Sequence, residues 1–159
     1  MMKGRILCAL LFVGMVTGCE GEPYDPSLLM DLPEGKTVSQ ALAGKMVRAD
    51  GSRVVFEAGE EPDYFVFYFS ASGCPPCRAY TPGVVKFYDE ARAKEMGGGK
   101  KKEATFEVIL INEDNSQEEM LAYMKQYGMN WVAVNFEERG VRGVPSNPVR
   151  AFPAVVIVD

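Results

Sequence analysis

Cys74 and Cys77 are the residues of this chain best equipped for chemistry, and Pro75-Pro76 separates them. Two thiols at this spacing can close a single disulfide. Their setting is informative, because the apolar run Tyr64 to Phe69 precedes them and a segment of helical periodicity follows. A cysteine at the junction of a strand and a helix meets the free N–H groups and positive dipole end of the helix. Both favour a thiolate over a thiol and arm it as a nucleophile. Neither proline offers an N–H, and a helix start tolerates that loss. A static bridge is the plainer alternative, but a disulfide closing so small a loop stabilises little. Zinc fits less well still. One Cys-x-x-Cys supplies two ligands where a tetrahedral site needs about four, and the chain has no histidine. That absence also excludes imidazole acid–base chemistry and histidine-dependent triads.

The surrounding residues carry a family likeness. Tyr68-Phe69-Ser70-Ala71-Ser72-Gly73-Cys74-Pro75-Pro76-Cys77-Arg78-Ala79-Tyr80-Thr81-Pro82 resembles the active-site segment of tryparedoxins and nucleoredoxins, in the thioredoxin-like superfamily. The resemblance extends from about Lys45 to Asp159. It implies thiol–disulfide exchange with no cofactor beyond the two thiols: Cys74 attacks a substrate disulfide and Cys77 resolves the mixed disulfide. Phe152-Pro153 resembles the site of the cis-proline that faces the cysteine pair in this superfamily. There the preceding residue's backbone pairs with substrate like an added strand. Pro145 competes for that role, but the apolar residues Ala154 to Val158 make Pro153 the better strand start. Gly73 departs from the family, which nearly always has Trp there. The glycine removes an aromatic wall beside the reactive sulfur and loosens the backbone before it. Tyr68 stands where thioredoxins proper carry a buried acid, and core packing is its expected role. Arg78 sets a cation beside the pair, although a solvated helix position is its plainer role, and Trp131 is expected in the core.

The elements that must position these residues follow from periodicity. Met46 to Ala49 and Arg53 to Phe56 flank Asp50-Gly51-Ser52 and predict a hairpin. Tyr64 to Phe69 predicts a central strand buried on both faces. Helical spacing of Val84, Val85, Phe87, Tyr88 and Ala91 predicts a helix from Cys77 to about Met96. Gly97-Gly98-Gly99 ends it, and the lysines after it lack the spacing of a phosphate loop. Thr105 to Asn112 predicts a strand; Ser116 to Glu119 forms a capping box for a helix through Tyr127, closed by Gly128. Residues 130–135 resemble the family's short Trp-containing segment, 137–150 reads as a loop, and a strand at 153–158 completes the pattern. The fold class is α/β: a thioredoxin-like central mixed sheet flanked by helices on both faces. Compared with the family, the last strand and C-terminal helix are expected to be lacking.

Composition is that of an ordinary globular domain, 47% hydrophobic and 25% charged. The formal net charge of −5 argues against nucleic acid as a partner. The first residues stand apart. Lys3 and Arg5 precede the apolar run Ile6 to Val16, shorter than the about 20 residues a spanning helix needs, so residues 1–18 predict a signal peptide. Val16-Thr17-Gly18-Cys19 resembles the lipobox of bacterial lipoproteins and implies a lipid on Cys19. Residues 19–44 then form a lipidated tether and 45–159 the domain. The expected setting is the bacterial cell envelope, with membrane attachment through the lipid. The expected partners are protein or small-molecule disulfides, with a membrane thiol relay as electron donor. Reduction is the preferred direction; a disulfide-introducing oxidase with the same residues, or a redox-inactive binding module on this fold, are the alternatives.

Overall fold

The computed structural model describes residues 29–55, 61–96, 104–146 and 151–159. The proposed leader, Cys19, the Gly-Lys segment 97–103 and Phe56 lie outside the described residues. In chain order the elements are α1 (Val38–Leu42), β1 (Met46–Val47), β2 (Arg53–Val54), β3 (Tyr64–Ser70) and α2 (Pro75–Met96). They continue with β4 (Phe106–Asn112), α3 (Gln117–Tyr127), β5 (Val132–Val134), a 3-10 turn (Phe136–Glu138) and β6 (Ala154–Val158).

The strands form one mixed sheet in the order β2-β1-β5-β4-β3-β6. β3 runs parallel to β4, and β4 parallel to β5, while β6 lies antiparallel on the other side of β3. Both parallel connections step in the same direction across the sheet. Right-handed crossovers therefore put α2 and α3 on the same face, and the packing agrees. Tyr88 of α2 and Met120, Tyr123 and Met124 of α3 pack with Tyr68, Val108, Leu110 and Trp131. The opposite face buries Phe65, Phe67, Phe69, Ile109 and Ile111 against Leu29, Met30, Val38 and Leu42. Helices do cover both faces, but unequally: two long ones on one side and the single short α1 on the other.

This second layer begins upstream of the expected domain start at residue 45. Leu29 and Met30 are buried, and Ser146 donates its N–H to the Leu29 carbonyl at 2.7 Å. Their apolar side chains complete a face that would otherwise leave Phe65 and Phe67 wet. Residues 29–44 thus pack as part of the domain. The end of α1 nearest this segment is fixed by a capping box. Thr37 accepts from the Gln40 N–H, and the Gln40 side chain accepts from the Thr37 N–H.

Local signals behave as their chemistry dictates. Gly51 takes a φ of 86° in the β1–β2 turn, and Gly128 a φ of 66° at the end of α3. Ser116 caps α3 by accepting the Glu119 N–H at 3.2 Å. The reciprocal half of the expected capping box is displaced by one residue, because the Glu119 carboxylate accepts from the Asn115 N–H.

Candidate active site

The chain leaves β3 at Ser70, turns through Ala71 to Gly73 and enters α2 at Pro75. Cys74 occupies the position just ahead of the helix: its carbonyl accepts the first intrahelical bond, from the Arg78 N–H at 3.1 Å. Its sulfur in turn accepts the Cys77 N–H at 3.3 Å. A cysteine sulfur therefore stands where Ser or Asp usually caps a helix. With prolines in the first two helical positions, the Cys77 N–H is the first amide of α2 able to serve it. The two cysteines are bonded as a disulfide, their Cα atoms 5.2 Å apart. Cys74 is half-buried and Cys77 fully buried. That asymmetry suits an attacking sulfur that meets a partner and a resolving sulfur that waits beneath it.

The Phe152–Pro153 bond is cis, the single cis peptide among the described residues. Pro145 is buried outside any strand. β6 begins directly after Pro153 and pairs Ala154 with Phe69. The register sets the cis bond at the carboxyl end of β3, the end from which the chain runs to Cys74. Gly73 is exposed, and a Cβ added there meets no atom within 4 Å. Arg78 is exposed and reaches back to the Ser72 carbonyl at 3.4 Å.

Beneath the pair lies a buried chain of hydroxyls that periodicity alone does not disclose. Thr81 donates to the Cys77 carbonyl at 2.8 Å, and its oxygen lies 2.8 Å from the Tyr68 hydroxyl and 2.6 Å from that of Tyr123. The Tyr123 hydroxyl also meets Ser70 Oγ at 2.9 Å. These contacts tie the first turns of α2 to β3 and α3, next to Pro82, whose missing N–H interrupts the helical ladder. Burial pushes the Tyr68 hydroxyl well above the ordinary tyrosine range, so it holds its proton and acts as a hydrogen-bonding strut. Trp131 packs edge-on against Tyr68 and Tyr88 with ring centroids 6.4 and 5.2 Å away, a core residue as expected.

A second polar group holds the turn ahead of Cys74. Asp114 Oδ1 accepts from the Ser72 N–H at 2.7 Å and from the Ser72 hydroxyl at 2.9 Å. Asn112 Nδ2 donates to Asp114 Oδ2, and Arg139 donates to the carbonyls of Asn112 and Asp114. Asn112, Asp114 and Arg139 are absent from the sequence-derived site. The signal available was Asn112-Glu113-Asp114-Asn115-Ser116, a polar cluster after a parallel strand at the sheet end where sites assemble.

Comparison with known proteins agrees with this geometry. Residues 62–159 match the Thioredoxin-like family. The chain belongs to it. Nucleoredoxin of Xenopus laevis is 30% identical over 141 residues, which cover 83% of this chain and 31% of that protein. The chain therefore spans about a third of the length of that relative. Among solved structures, tryparedoxin I of Leishmania major superposes with a TM-score of 0.55 at 25% identity, covering 74% of each chain. Tryparedoxin II of C. fasciculata gives 0.52 at 32% identity, covering 73% of each. This thioredoxin-like chain carries its cysteine pair at the strand-to-helix junction of the fold.

Proposed function

We propose that this chain is a thiol–disulfide oxidoreductase that reduces protein disulfides through Cys74 and Cys77. The observation that carries the reading is the Cys74 sulfur itself, half-exposed and capping α2 through the Cys77 N–H. A negative sulfur at that place gains a charge-assisted hydrogen bond and the favourable end of the helix dipole. In the reduced protein the Cys74 thiolate attacks one sulfur of a substrate disulfide. A mixed disulfide forms and the first substrate thiolate leaves. The Cys77 thiolate then attacks Cys74 Sγ, the second substrate thiolate departs, and the Cys74–Cys77 disulfide remains. Two electrons have passed to the substrate. The backbone at Phe152, ahead of the cis bond, is the proposed strand-like seat for a substrate peptide, and Gly73 leaves the space beside Cys74 open to it.

The wider setting belongs to the same proposal. Residues 1–18 serve as a signal peptide and Cys19 carries the lipid that ties the domain to the bacterial envelope, where a membrane thiol relay supplies electrons. The basic start, the short apolar run and the small residues before Cys19 support this. Insulin reduction with an added dithiol tests the core claim: the wild-type chain turns over and Cys74→Ser does not. An inactive wild-type chain would overturn it. Membrane fractionation of Cys19→Ala from a bacterial host tests the tether. The variant is expected in the soluble fraction, and a variant that stays with membranes would refute the lipid anchor.

A further inference from the structure

The turn Ala71–Cys74 must hold the attacking sulfur steady, and within it one backbone bond does so, from the Cys74 N–H to the Ala71 carbonyl at 3.2 Å. Gly73 has no side chain to pack, and nothing surrounds the position where one would begin. A glycine there leaves the backbone before Cys74 with the widest conformational range of any residue. In the oxidised protein the Cys74–Cys77 bond restrains the turn covalently. Reduction removes that restraint at the moment Cys74 becomes the nucleophile.

Beyond the turn's own bond and the Arg78 contact to the Ser72 carbonyl at 3.4 Å, what remains is Asp114. Its Oδ1 takes both the backbone N–H and the hydroxyl of Ser72, leaving only Gly73 between the clamped residue and Cys74. The carboxylate is buried and does not swing freely. Asn112 Nδ2 holds Oδ2 at 2.9 Å, and the Asn112 side-chain oxygen accepts the Asp114 N–H at 2.9 Å. Arg139 fastens the backbone of both residues, with its guanidinium stacked 3.8 Å over the Phe136 ring. The brace therefore joins three places in the chain: the turn before Cys74, the end of β4, and the 3-10 turn after β5.

We propose that Asp114 is a positioning residue for the redox pair, gripping Ser72 so that the reduced Cys74 sulfur stays on the end of α2. The proposal rests on the exchange function above. It differs from an effect of charge in a way that can be measured. A carboxylate acting through its charge would disfavour the Cys74 thiolate, so removing it would make the thiolate form at lower pH. A carboxylate acting by grip does the opposite, because losing it lets the sulfur drift from the Cys77 N–H and the helix end. The other charged groups around the turn are Arg78 on α2, Arg139 and Glu113, whose N–H donates to the Ser70 carbonyl at 3.1 Å, and all three stay constant in the comparison.

The test uses the full chain in its reduced form, with Asp114→Ala, Asp114→Asn and Ser72→Ala. Cys74 alkylation by iodoacetamide is followed against pH by mass spectrometry, alongside insulin reduction. Asp114→Ala is expected to slow insulin reduction roughly tenfold, as small misplacements of a reacting atom do, and to move the alkylation midpoint to higher pH. Asp114→Asn keeps an oxygen for Ser72 and should hold its midpoint near that of the wild type. Wild-type rate and midpoint in Asp114→Ala would overturn the proposal. A downward shift shared by both Asp114 variants would overturn it too, by showing an effect of charge. Should Asp114→Ala lose its cooperative thermal transition, Ser72→Ala decides. That variant loses one of the two bonds, and a slowed rate with a raised midpoint supports the grip, whereas wild-type values refute it. Alkylation needs no disulfide substrate, so a wild-type chain that reduced nothing would count against the exchange function and not against the brace.

Discussion

The two faces of the sheet are built from different materials. β3 shows this within one strand, since Phe65, Phe67 and Phe69 point to the α1 side and Tyr68 and Ser70 to the side of α2 and α3. Against the first face the contacts to the sheet are apolar, and the polar ties, Ser146 to the Leu29 carbonyl and Arg142 to Asp31, join the covering segments to one another. On the second, the aromatic residues carry hydroxyls that meet at Thr81. Apolar packing is non-directional and tolerates sliding, whereas hydrogen bonds demand position and angle. The directional face is the one that seats the helix bearing the cysteines. Placement of α2 needs more than burial, and the polar residues are spent where placement matters.

Substitutions can break that contrast. The largest effect is expected from Phe67→Ala, which empties a fully buried site and should cost about 3–5 kcal/mol of unfolding free energy. Insulin reduction by the fraction still folded should be close to normal, because this face only fills space. Chemical denaturation with a parallel activity assay measures both. A folded but inactive Phe67→Ala protein would erase the distinction between the faces.

Thr81→Val conserves shape and strips the hub of the other face. It leaves the buried Tyr68 hydroxyl and the Cys77 carbonyl without their Thr81 contacts, so a loss of about 2–3 kcal/mol is expected. Unlike the first variant, it should also slow exchange per folded molecule, since the turns of α2 nearest Cys77 lose their tie. An unchanged rate would show that burial alone places the helix.

Tyr68→Phe removes the hydroxyl together with its need for a partner, and a smaller cost of about 1 kcal/mol is expected. Its signature is in alkali. The hydroxyl's ionisation is raised above its ordinary value of 10.0 by burial. Above pH 10 the unfolded chain sheds this proton while the folded one keeps it, so stability falls as pH climbs. Denaturation midpoints across that range should fall less steeply for Tyr68→Phe than for the wild type. Tyr88, also raised by burial, keeps a slope in both.

The smallest effect on stability is expected from Gly73→Trp, at an exposed position with nothing near a new Cβ. Its effect should be on substrates: the rate with protein disulfides changes more than that with oxidised glutathione. A proportionate change on both would show that residue 73 tunes the pair itself.

The parts of this molecule legible in the sequence were those specified by neighbours in the chain. The unbroken apolar run of β3, the helical spacing of α2 and Gly128 each follow from a few consecutive residues and the backbone states they permit, whereas the cis bond at Pro153 was expected from the family likeness. The family likeness of residues 68–82 extended that reach to the redox pair. Contacts across the fold escaped. Ser72 meets Asp114, and Thr81 meets Tyr123, each across 42 positions of sequence, and no local periodicity links them. Arg139 fell in a stretch expected to be a plain loop, where turn residues hide a side chain aimed at β4. Leu29 and Met30 followed a proline-rich, acidic segment, and nothing within it signals the open sheet face that they cover.

The proline pair has a last consequence, for observation. Pro75 and Pro76 contribute no amide proton, so the Cys77 N–H is the one backbone resonance between Cys74 and Arg78 in a nitrogen–proton correlation spectrum. Because it points at the Cys74 sulfur, it is a built-in reporter. Its shift registers whether that sulfur is bonded, protonated or charged, and a titration of this single peak reads out the state of the pair with no chemical probe attached to either sulfur.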